Sequence, residues 1–334
     1  MKELHRPIRI GSLELKNRVV MPPIATYRST EDGKVTDEML AYYGERAEHG
    51  HIGLIVTEHS YITLQGKAKA RQMSIAAEED VDGLRRLTEA IHQNGTKAFA
   101  QLNHAGSAAL PEVTGMPAVA PSAVTLPVTP PIGGSTLPQA LTQEEIARIV
   151  QEFTVAARRA KDAGYDGIEI HSAHGYLLNQ FYSPLTNQRT DDYGGPLENR
   201  LRFLLETVHS VRDAVGSDFP ISVRLGGCDY RDGGSTIADS VRAAILLQQE
   251  GINLLSVTGG MCRYTRAGHT EAGYFRDMST EIKRNITIPV LLTGGVKTVE
   301  EAESLLLEQA ADLIGIGRAL LQNAAWPVDS AGDK

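Results

Sequence analysis

Cysteine is scarce in this sequence: Cys228 and Cys262 are the only two among 334 residues. Two isolated thiols are too few for a metal-binding cysteine knuckle, an iron–sulfur cluster or a disulfide framework. Long apolar runs are also missing, because no stretch approaches the roughly 20 residues that span a bilayer, and residues 1–7 contain no apolar signal core. We therefore expect reduced, unpaired thiols and a cytoplasmic protein that makes no use of a membrane.

Charge of one sign is not concentrated anywhere in the chain. The sequence has 41 acidic and 33 basic side chains, a formal net charge of −8 and no basic stripe. This balance argues against binding to nucleic acid or to a membrane surface. With 42% hydrophobic residues the chain can bury a large core. Because no linker interrupts it, we expect one domain over residues 1–334.

A short β-rich run, a turn and an amphipathic helix follow one another repeatedly. The predicted strands are residues 18–21, 53–58, 97–102, 167–171, 221–225, 254–258, 289–293 and 313–315. The predicted helices are residues 36–49, 80–93, 142–163, 197–215, 237–249, 277–284, 299–308 and a short one from Arg318. This alternation predicts an α/β fold, a closed (β/α)8 TIM barrel. A doubly wound open sheet is the alternative, but no G-x-G-x-x-G follows any predicted strand.

One segment interrupts this rhythm. Residues 105–140, after the third predicted strand, contain several glycines and seven prolines between Pro111 and Pro138. The segment is too long for a simple connector. We expect either a lid over the barrel mouth or a small hairpin excursion.

In such a barrel the active site lies at the carboxyl ends of the strands. The fourth predicted strand ends in His171, followed by His174 and Tyr176. If the chain leaves the strand in a single turn, two imidazoles and a phenol converge on one small volume. Such a trio can hold an oxygen atom and supply a proton.

Other strand ends predict a place for a phosphate and for a planar ring. The seventh strand ends at Gly294 and Gly295, and the eighth is followed by Gly317 and Arg318. Backbone N–H groups and a cation at the last two strands of a barrel commonly hold a phosphate. Gln101 and Arg224, on the third and fifth strands, could face a ring that gains negative charge on reduction.

Several motifs together resemble the Old Yellow Enzyme family of flavin-dependent NAD(P)H oxidoreductases. The resemblance runs in colinear order from about Pro7 to about Trp326, and its most specific part is H-x-x-H-G-Y-L followed by N-x-R-x-D-x-Y-G-G. The stretches that carry it are N17-R-V-V-M-P-P23, Q101-L-N-H-A-G106, residues 171–195, S222-V-R224, T293-G-G295 and G315-I-G-R318.

The resemblance implies a (β/α)8 barrel that binds FMN, is reduced by NADPH or NADH, and is reoxidised by a small enone or other activated alkene. A homo-oligomer is compatible with it. The positions that match the family's flavin contacts are Pro23, Ile24, Ala25, His59, Gln101 and Arg224. The positions that match its phosphate site are Gly294, Gly295, Gly317 and Arg318. Tyr27, His171 and His174 match substrate-binding positions, and Tyr176 matches the proton donor.

Two of these positions depart from the family's pattern. Ala25 stands where the family usually has Thr or Cys near the flavin O4, so a donor that tunes the reduction potential is missing. His59 stands where a small residue is common, close to the pyrimidine edge of the ring. It would either donate a hydrogen bond or narrow the site.

A second class of function stays open at this point: a phosphate-binding barrel without redox chemistry, such as a metal-dependent lyase or hydrolase. His171 and His174 would then be zinc ligands with His104 as a third. Residues 17–27 offer no further His or carboxylate ligand, so we expect no metal site. Tyr176 could also be a structural phenol, which needs only one partner for its O–H.

Overall fold

Thirteen strands are found in the computed structural model, which describes residues 2–128, 131–134 and 136–326. In chain order they are β1 (Ile8–Ile10), β2 (Leu13–Leu15), β3 (Val19–Met21), β4 (Leu54–Val56), β5 (Ser60–Tyr61), β6 (Lys97–Asn103), β7 (Val119–Ala120), β8 (Gln139–Ala140), β9 (Gly167–Ser172), β10 (Ile221–Cys228), β11 (Leu254–Gly259), β12 (Val290–Thr293) and β13 (Leu313–Gly315).

Eight of these strands close into a parallel barrel in the order β3, β4, β6, β9, β10, β11, β12, β13. The ring is complete because β4 pairs on one side with β3, through Val20 and Leu54, and on the other side with β6, through Val56 and Phe99. The predicted TIM barrel is confirmed. The doubly wound alternative is wrong, because an open sheet would leave two unpaired edges.

Helices lie between the strands of the barrel. Those of the described residues are α1 (Asp37–Glu48), α2 (Val81–Ile91), α3 (Pro111–Thr114), α4 (Gln143–Asp162), α5 (Leu177–Tyr182), α6 (Leu197–Val215), α7 (Ile237–Gln249), α8 (Arg276–Asn285), α9 (Val299–Leu307) and α10 (Arg318–Gln322). Thr142 begins α4 with a capping box, in which Thr142 Oγ1 accepts from Glu145 N at 3.2 Å and Glu145 Oε2 accepts from Thr142 N at 2.8 Å. The other predicted helices lie within a few residues of their expected bounds, and α3 and α5 are additional short helices.

An apolar plug fills the amino-terminal end of the barrel. A hairpin of β1 and β2 contributes Ile10 and Leu15, which pack against side chains from the beginnings of the strands. The strand residues of this cluster are Val20, Leu54, Val56, Phe99, Leu254, Leu291 and Leu313. Gly167 makes room for this packing, since a Cβ there would lie 2.5 Å from the Phe99 ring. This hairpin was not among the predicted elements.

The second barrel strand is broken by a bulge. Val56 of β4 pairs with Phe99, and Ser60 of β5 pairs with Leu102. Between these two pairs, the three residues 57–59 lie opposite the two residues 100–101 of β6. The predicted strand over residues 53–58 therefore ends at Val56. A bulge re-aims side chains next to the extra residue, and here it turns His59 toward the barrel mouth.

The long segment after β6 is not a hairpin. Its two short strands, β7 and β8, run parallel to each other, with Val119 beside Gln139, so the hairpin alternative is wrong. The segment lies against the turn after β9, because a Cβ on Gly175 would be 2.3 Å from Val128. Residues 129, 130 and 135 fall outside the described part of the chain.

Two further expectations concern membranes and thiols. Within the described residues, no helix combines the length and the apolar character that crossing a membrane requires. Cys228 is buried and Cys262 half-buried, and both are free thiols as expected.

Candidate active site

A cavity of about 390 Å³ opens at the carboxyl ends of the barrel strands. Every site residue that the sequence predicted lies on its wall. These residues are Pro23, Ile24, Ala25, Tyr27, His59, Gln101, His171, His174, Tyr176, Arg224, Gly294, Gly295, Gly317 and Arg318. The barrel thus brings together in space residues that are up to 295 positions apart, as from Pro23 to Arg318.

The end of β9 presents three rings to this cavity. The His171 ring centre lies 5.1 Å from that of His174 and 5.0 Å from that of Tyr176, and both pairs are nearly perpendicular. Ala173 N donates to His171 Nδ1 at 3.2 Å, which makes Nδ1 an acceptor and places the proton of a neutral ring on Nε2. His174 Nε2 lies 2.9 Å from Thr258 Oγ1.

The local backbone explains why these rings converge. His174 has a left-handed φ of 61°, and Gly175 follows with a φ of 77°, so the chain reverses sharply after β9. Tyr176 then begins helix α5, with its N–H donating to Ala173 O at 3.1 Å. Two consecutive left-handed residues thus put all three rings on one side of a single turn, as the spacing predicted.

Burial sets the protonation states of the trio. It lowers the pKa of His171 and of His174 well below the usual value of histidine, so both imidazoles are neutral near pH 7. Burial also raises the pKa of the Tyr176 phenol to about 12, so it keeps its proton. The site therefore offers neutral N–H and O–H donors.

His59 is a third neutral imidazole at the mouth. Ala68 N donates to Gln72 Oε1 at 2.7 Å, which turns the Gln72 amide nitrogen toward His59 Nδ1 at 3.0 Å. Asn103 Nδ2 lies 3.2 Å from the same Nδ1. Because two amide donors meet this nitrogen, the ring proton is on Nε2, and burial lowers the pKa of His59 to about 4.

A polar layer lies inside the barrel beneath the cavity. Gln101 Nε2 donates to Glu169 Oε1 at 2.8 Å, which leaves the Gln101 carbonyl oxygen free to face a ligand. Ser222 Oγ donates to Glu169 Oε2 at 3.1 Å. Burial raises the pKa of Glu169 and lowers that of the Arg224 guanidinium, and each opposes the shift of the other through its charge.

The loop after β3 is held by a buried carboxylate. Glu58 accepts from Thr26 N at 3.0 Å and from Thr26 Oγ1 at 2.5 Å, and its own N–H donates to Tyr43 Oη at 2.9 Å. These bonds fix the backbone beside Ala25, and Tyr27 continues the loop with a left-handed φ of 55°. Glu58 is the last residue of the second predicted strand, and this role was not predicted from the sequence.

The glycines at the other end of the cavity differ in what they allow. A Cβ on Gly294 would lie 2.9 Å from the Tyr274 ring, and one on Gly295 would lie 2.4 Å from Glu271 O, so the protein itself excludes side chains there. A Cβ on Gly317 would meet nothing closer than 3.6 Å. At Gly317 the absence of a side chain therefore leaves space for a ligand beside Arg318.

Sequence reasoning missed Arg263, Tyr264 and Tyr274, which line the cavity, whereas Thr258 is the last residue of the sixth predicted strand. Arg263 and Tyr264 lie on the loop after β11, five and six residues beyond the end of the sixth predicted strand. One backbone signal identifies Arg263 in the structure. With Tyr27 and His174, it is one of three cavity residues other than glycine with φ near 60°, a conformation that concentrates at functional sites.

The alternative of a zinc site at His171 and His174 lacks a third ligand among the described residues. His104 does not line the cavity, and its Nδ1 accepts from Gly106 N at 3.1 Å. Within residues 2–128, 131–134 and 136–326, no group of three or more His, Cys, Asp or Glu side chains could hold a metal ion.

Comparison with known proteins agrees with the geometry. A family model described as the NADH:flavin oxidoreductase / NADH oxidase family matches residues 3–331. An NADH oxidase of Thermoanaerobacter brockii is 40% identical over 325 residues, 96% of this chain but 49% of the relative, so the chain spans about half of that protein. An NADPH dehydrogenase of Geobacillus sp. strain WCH70 is 38% identical over 330 residues, 98% of this chain and 93% of the relative.

A solved structure supports the same conclusion. The Old Yellow Enzyme homologue from Zymomonas mobilis superimposes with a TM-score of 0.85 at 31% sequence identity, covering 97% of this chain and 91% of that one. Because the family model spans nearly the whole chain and a relative of similar length is 38% identical, this protein belongs to the NADH:flavin oxidoreductase / NADH oxidase family, the Old Yellow Enzyme family that its motifs resemble.

Proposed function

We propose that this protein is an FMN-dependent NAD(P)H oxidoreductase that reduces the C=C bond of α,β-unsaturated carbonyl compounds. The observation that carries the proposal is the trio of His171, His174 and Tyr176 at the end of β9. Two neutral imidazoles and a protonated phenol share one cavity with Gln101 and Arg224. None of the described residues favours the alternative of a metal-dependent lyase or hydrolase.

The cavity fits FMN in its chemistry. Arg224 Nε and Thr293 Oγ1 are buried and find no hydrogen-bond partner among the described residues, so a ligand with acceptor atoms would satisfy groups that are costly to leave unpaired. Gln101 and Arg224 would hold the ring, and Arg318 with the backbone near Gly317 would hold the phosphate. Bound FMN would supply hydride transfer between NAD(P)H and the alkene.

The two histidines would hold the carbonyl oxygen of the substrate. His171 presents Nε2–H because its Nδ1 already accepts from the backbone. If the Thr258 hydroxyl donates to His174 Nε2, the second imidazole presents Nδ1–H. Two such donors stabilise the negative charge that develops on the oxygen when hydride adds to the β-carbon.

Tyr176 would then complete the reduction. Its pKa of about 12 keeps the phenol protonated across neutral pH, so it can donate a proton to the α-carbon. The Tyr176 ring packs 5.3 Å from the His59 ring and 5.0 Å from the His171 ring, measured between ring centres. These contacts orient the phenol without needing its hydroxyl.

Purification and anaerobic titration test this proposal. The protein should be yellow, should lose its colour with NADPH or NADH under argon, and should recover it on addition of 2-cyclohexenone with formation of cyclohexanone. Running both nucleotides also determines the preferred reductant. A protein that takes up no FMN, or that bleaches but is not reoxidised by any activated alkene, would contradict the proposal.

Phenolates provide a second measurement on the same protein. A phenolate with an electron-withdrawing para substituent should bind between the two imidazoles and produce a long-wavelength charge-transfer band with oxidised flavin. The double variant His171→Ala/His174→Ala should lose the band while it retains flavin. Survival of the band in that variant would show that the pair is not the anion site.

A further inference from the structure

Three arginines of the described part of the chain line the cavity, and the proposed cofactor accounts for two of them. Arg224 interacts with Glu169 at the ring site, and Arg318 lies at the glycine-rich end beside Tyr274. The third is Arg263, on the loop after β11. No Asp or Glu of the described residues lines this cavity. Arg263 lies on the cavity wall, and the proposed function gives it no role.

Arg263 lies on the side of the cavity where the substrate would bind. Its guanidinium carbon is 5.0 Å from the centre of the Tyr264 ring, and that ring is 6.1 Å from the His174 ring. Burial is the main cause of the lowered pKa of His171 and His174, and the Arg263 charge adds to both shifts. Arg263 is thus close enough to act on a molecule held by the two imidazoles.

The loop that carries Arg263 is anchored, which gives the guanidinium a defined place. The buried Asp229 accepts from Met261 N at 2.7 Å through Oδ1, and from Ser183 Oγ at 2.6 Å and Ser235 N at 2.9 Å through Oδ2. Arg263 N donates to Gly260 O at 2.9 Å, with a left-handed φ of 60°. A strained, anchored backbone of this kind is typical of groups that contact ligands.

We propose that Arg263 binds a carboxylate on the alkene substrate, so that the enzyme prefers unsaturated carbonyl compounds that also carry a negative charge. Guanidinium matches the planar geometry of a carboxylate, and a charge-assisted bond in this partly enclosed cavity is stronger than one at the surface. The inference rests on the proposed function for the alkene chemistry. A phosphate of the reducing nucleotide is the other anion that could meet Arg263.

A matched pair of substrates tests the inference. The probes are trans-4-oxopent-2-enoate and its methyl ester, which share the enone and differ by one charge. In the variant Arg263→Gln, the ratio of kcat/KM for the acid to kcat/KM for the ester should fall about 10- to 100-fold, the loss expected for a hydrogen bond to a charged group. Arg263→Lys should recover part of the ratio.

A binding measurement separates this inference from the proposed function. The saturated analogues 4-oxopentanoate and methyl 4-oxopentanoate cannot be reduced, so calorimetric titration of the flavin-loaded protein reports recognition alone. Arg263→Gln should weaken binding of the acid about 10-fold or more relative to the ester. If neither enone reoxidises the protein but binding of 4-oxopentanoate still depends on Arg263, the proposed reaction is wrong and the proposed anion site is supported.

Lys69 provides the control for net charge. It is exposed at the outer rim, with Nζ 5.9 Å from the centre of the Tyr27 ring. Because solvent screens an exposed charge, Lys69→Gln should change the acid-to-ester ratio less than about threefold. Equal losses in Lys69→Gln and Arg263→Gln would overturn the inference. So would an unchanged ratio combined with weaker NADPH binding, which would assign Arg263 to the nucleotide.

Discussion

Tyr176 is held in place through its ring. It packs beside His59 and His171 and belongs to a small apolar cluster with residues of the segment after β6. Its phenol has a pKa raised to about 12 by burial. Removal of the hydroxyl alone should therefore leave the position of the ring and the carbonyl site intact, which makes this residue suitable for separating hydride transfer from protonation.

We expect Tyr176→Phe to slow only the oxidative half-reaction. With 2-cyclohexenone the rate should fall about 10²- to 10⁴-fold, the usual contribution of a general acid. With a quinone or a nitroalkene the rate should fall much less, because the reduced anion of such a substrate is stable enough to take a proton from water. Stopped-flow traces of both half-reactions provide the measurement. Equal slowing of flavin reduction by NADPH would assign Tyr176 a structural or nicotinamide-positioning role.

Residues at strand ends were predictable, and residues on long loops were not. The short spacing of His171, His174 and Tyr176 limits them to one turn, so their convergence follows from the barrel alone. Arg263 is four residues beyond the end of β11, and its position depends on the anchoring of its loop by Asp229. Glu169 was visible as a carboxylate inside an apolar strand, a signal that points to a buried polar layer.

At the scale of elements, the eight barrel strands were predictable because each is a short apolar run between turns. The bulge after β4 was not, since it exists only through the register of β6 on the neighbouring strand. The hairpin of β1 and β2 has only a weak signal in the sequence. Ile8, Ile10, Leu13 and Leu15 alternate with polar residues, but each strand is only three residues long.

The segment between β6 and α4 is seated on the turn after β9. The two are in close contact at Gly175, where an added Cβ would lie 2.3 Å from Val128 Cγ1. Gly175 also has a left-handed φ of 77°. A side chain at this position would therefore push the segment away from the residues that carry the chemistry.

We expect Gly175→Ala to lower the free energy of unfolding by about 2 kcal/mol or more, from left-handed strain and from the contact with Val128. In the double variant Gly175→Ala/Val128→Ala the contact is relieved, so the two changes should be less than additive. Urea unfolding of the four proteins of the cycle provides the values.

Gly115 is the matched control for the strain alone. It lies in the same segment with φ 69°, and a Cβ there would have nothing within 4 Å. Gly115→Ala should therefore cost about 1 kcal/mol, the left-handed penalty by itself. If Gly175→Ala and Gly115→Ala have equal effects, or if the cycle is additive, the segment does not rest on Gly175 in solution.

At the scale of the whole molecule, four imidazoles of the described residues are held in neutral form. Burial lowers the pKa of His59 to about 4 and of His104 to about 3, and lowers those of His171 and His174 well below the usual value. The unfolded chain binds these protons near pH 6.5, whereas the folded protein does not. Stability is therefore full above about pH 6.5 and falls as the pH is lowered toward the folded pKa values.

His59 and His104 should each remove about 1.4 kcal/mol of stability between pH 7.5 and 5.5, and His171 and His174 should add to this loss in the same direction. Burial raises the pKa of Glu58 and Glu169, which acts in the opposite sense and reduces the total. Urea unfolding at the two pH values, with FMN saturating, provides the measurement.

His104 allows this linkage to be tested away from the cavity. In His104→Asn the pH-dependent loss should shrink by about 1.4 kcal/mol, and the Asn oxygen can still accept from Gly106 N–H. A loss that is the same in wild type and in His104→Asn would show that His104 is protonated in the folded protein.

The apolar plug of Ile10, Leu15 and the strand beginnings is separated from the chemistry by the polar layer around Glu169. In a barrel of this kind, one end contributes to folding and the other to reaction. The effects of mutations should therefore differ between the two ends of the barrel. Substitutions in the plug alter how long the protein survives at a given temperature, and substitutions in the mouth loops alter which molecules it reduces. During evolution, substrate preference and thermal stability can therefore change through separate substitutions.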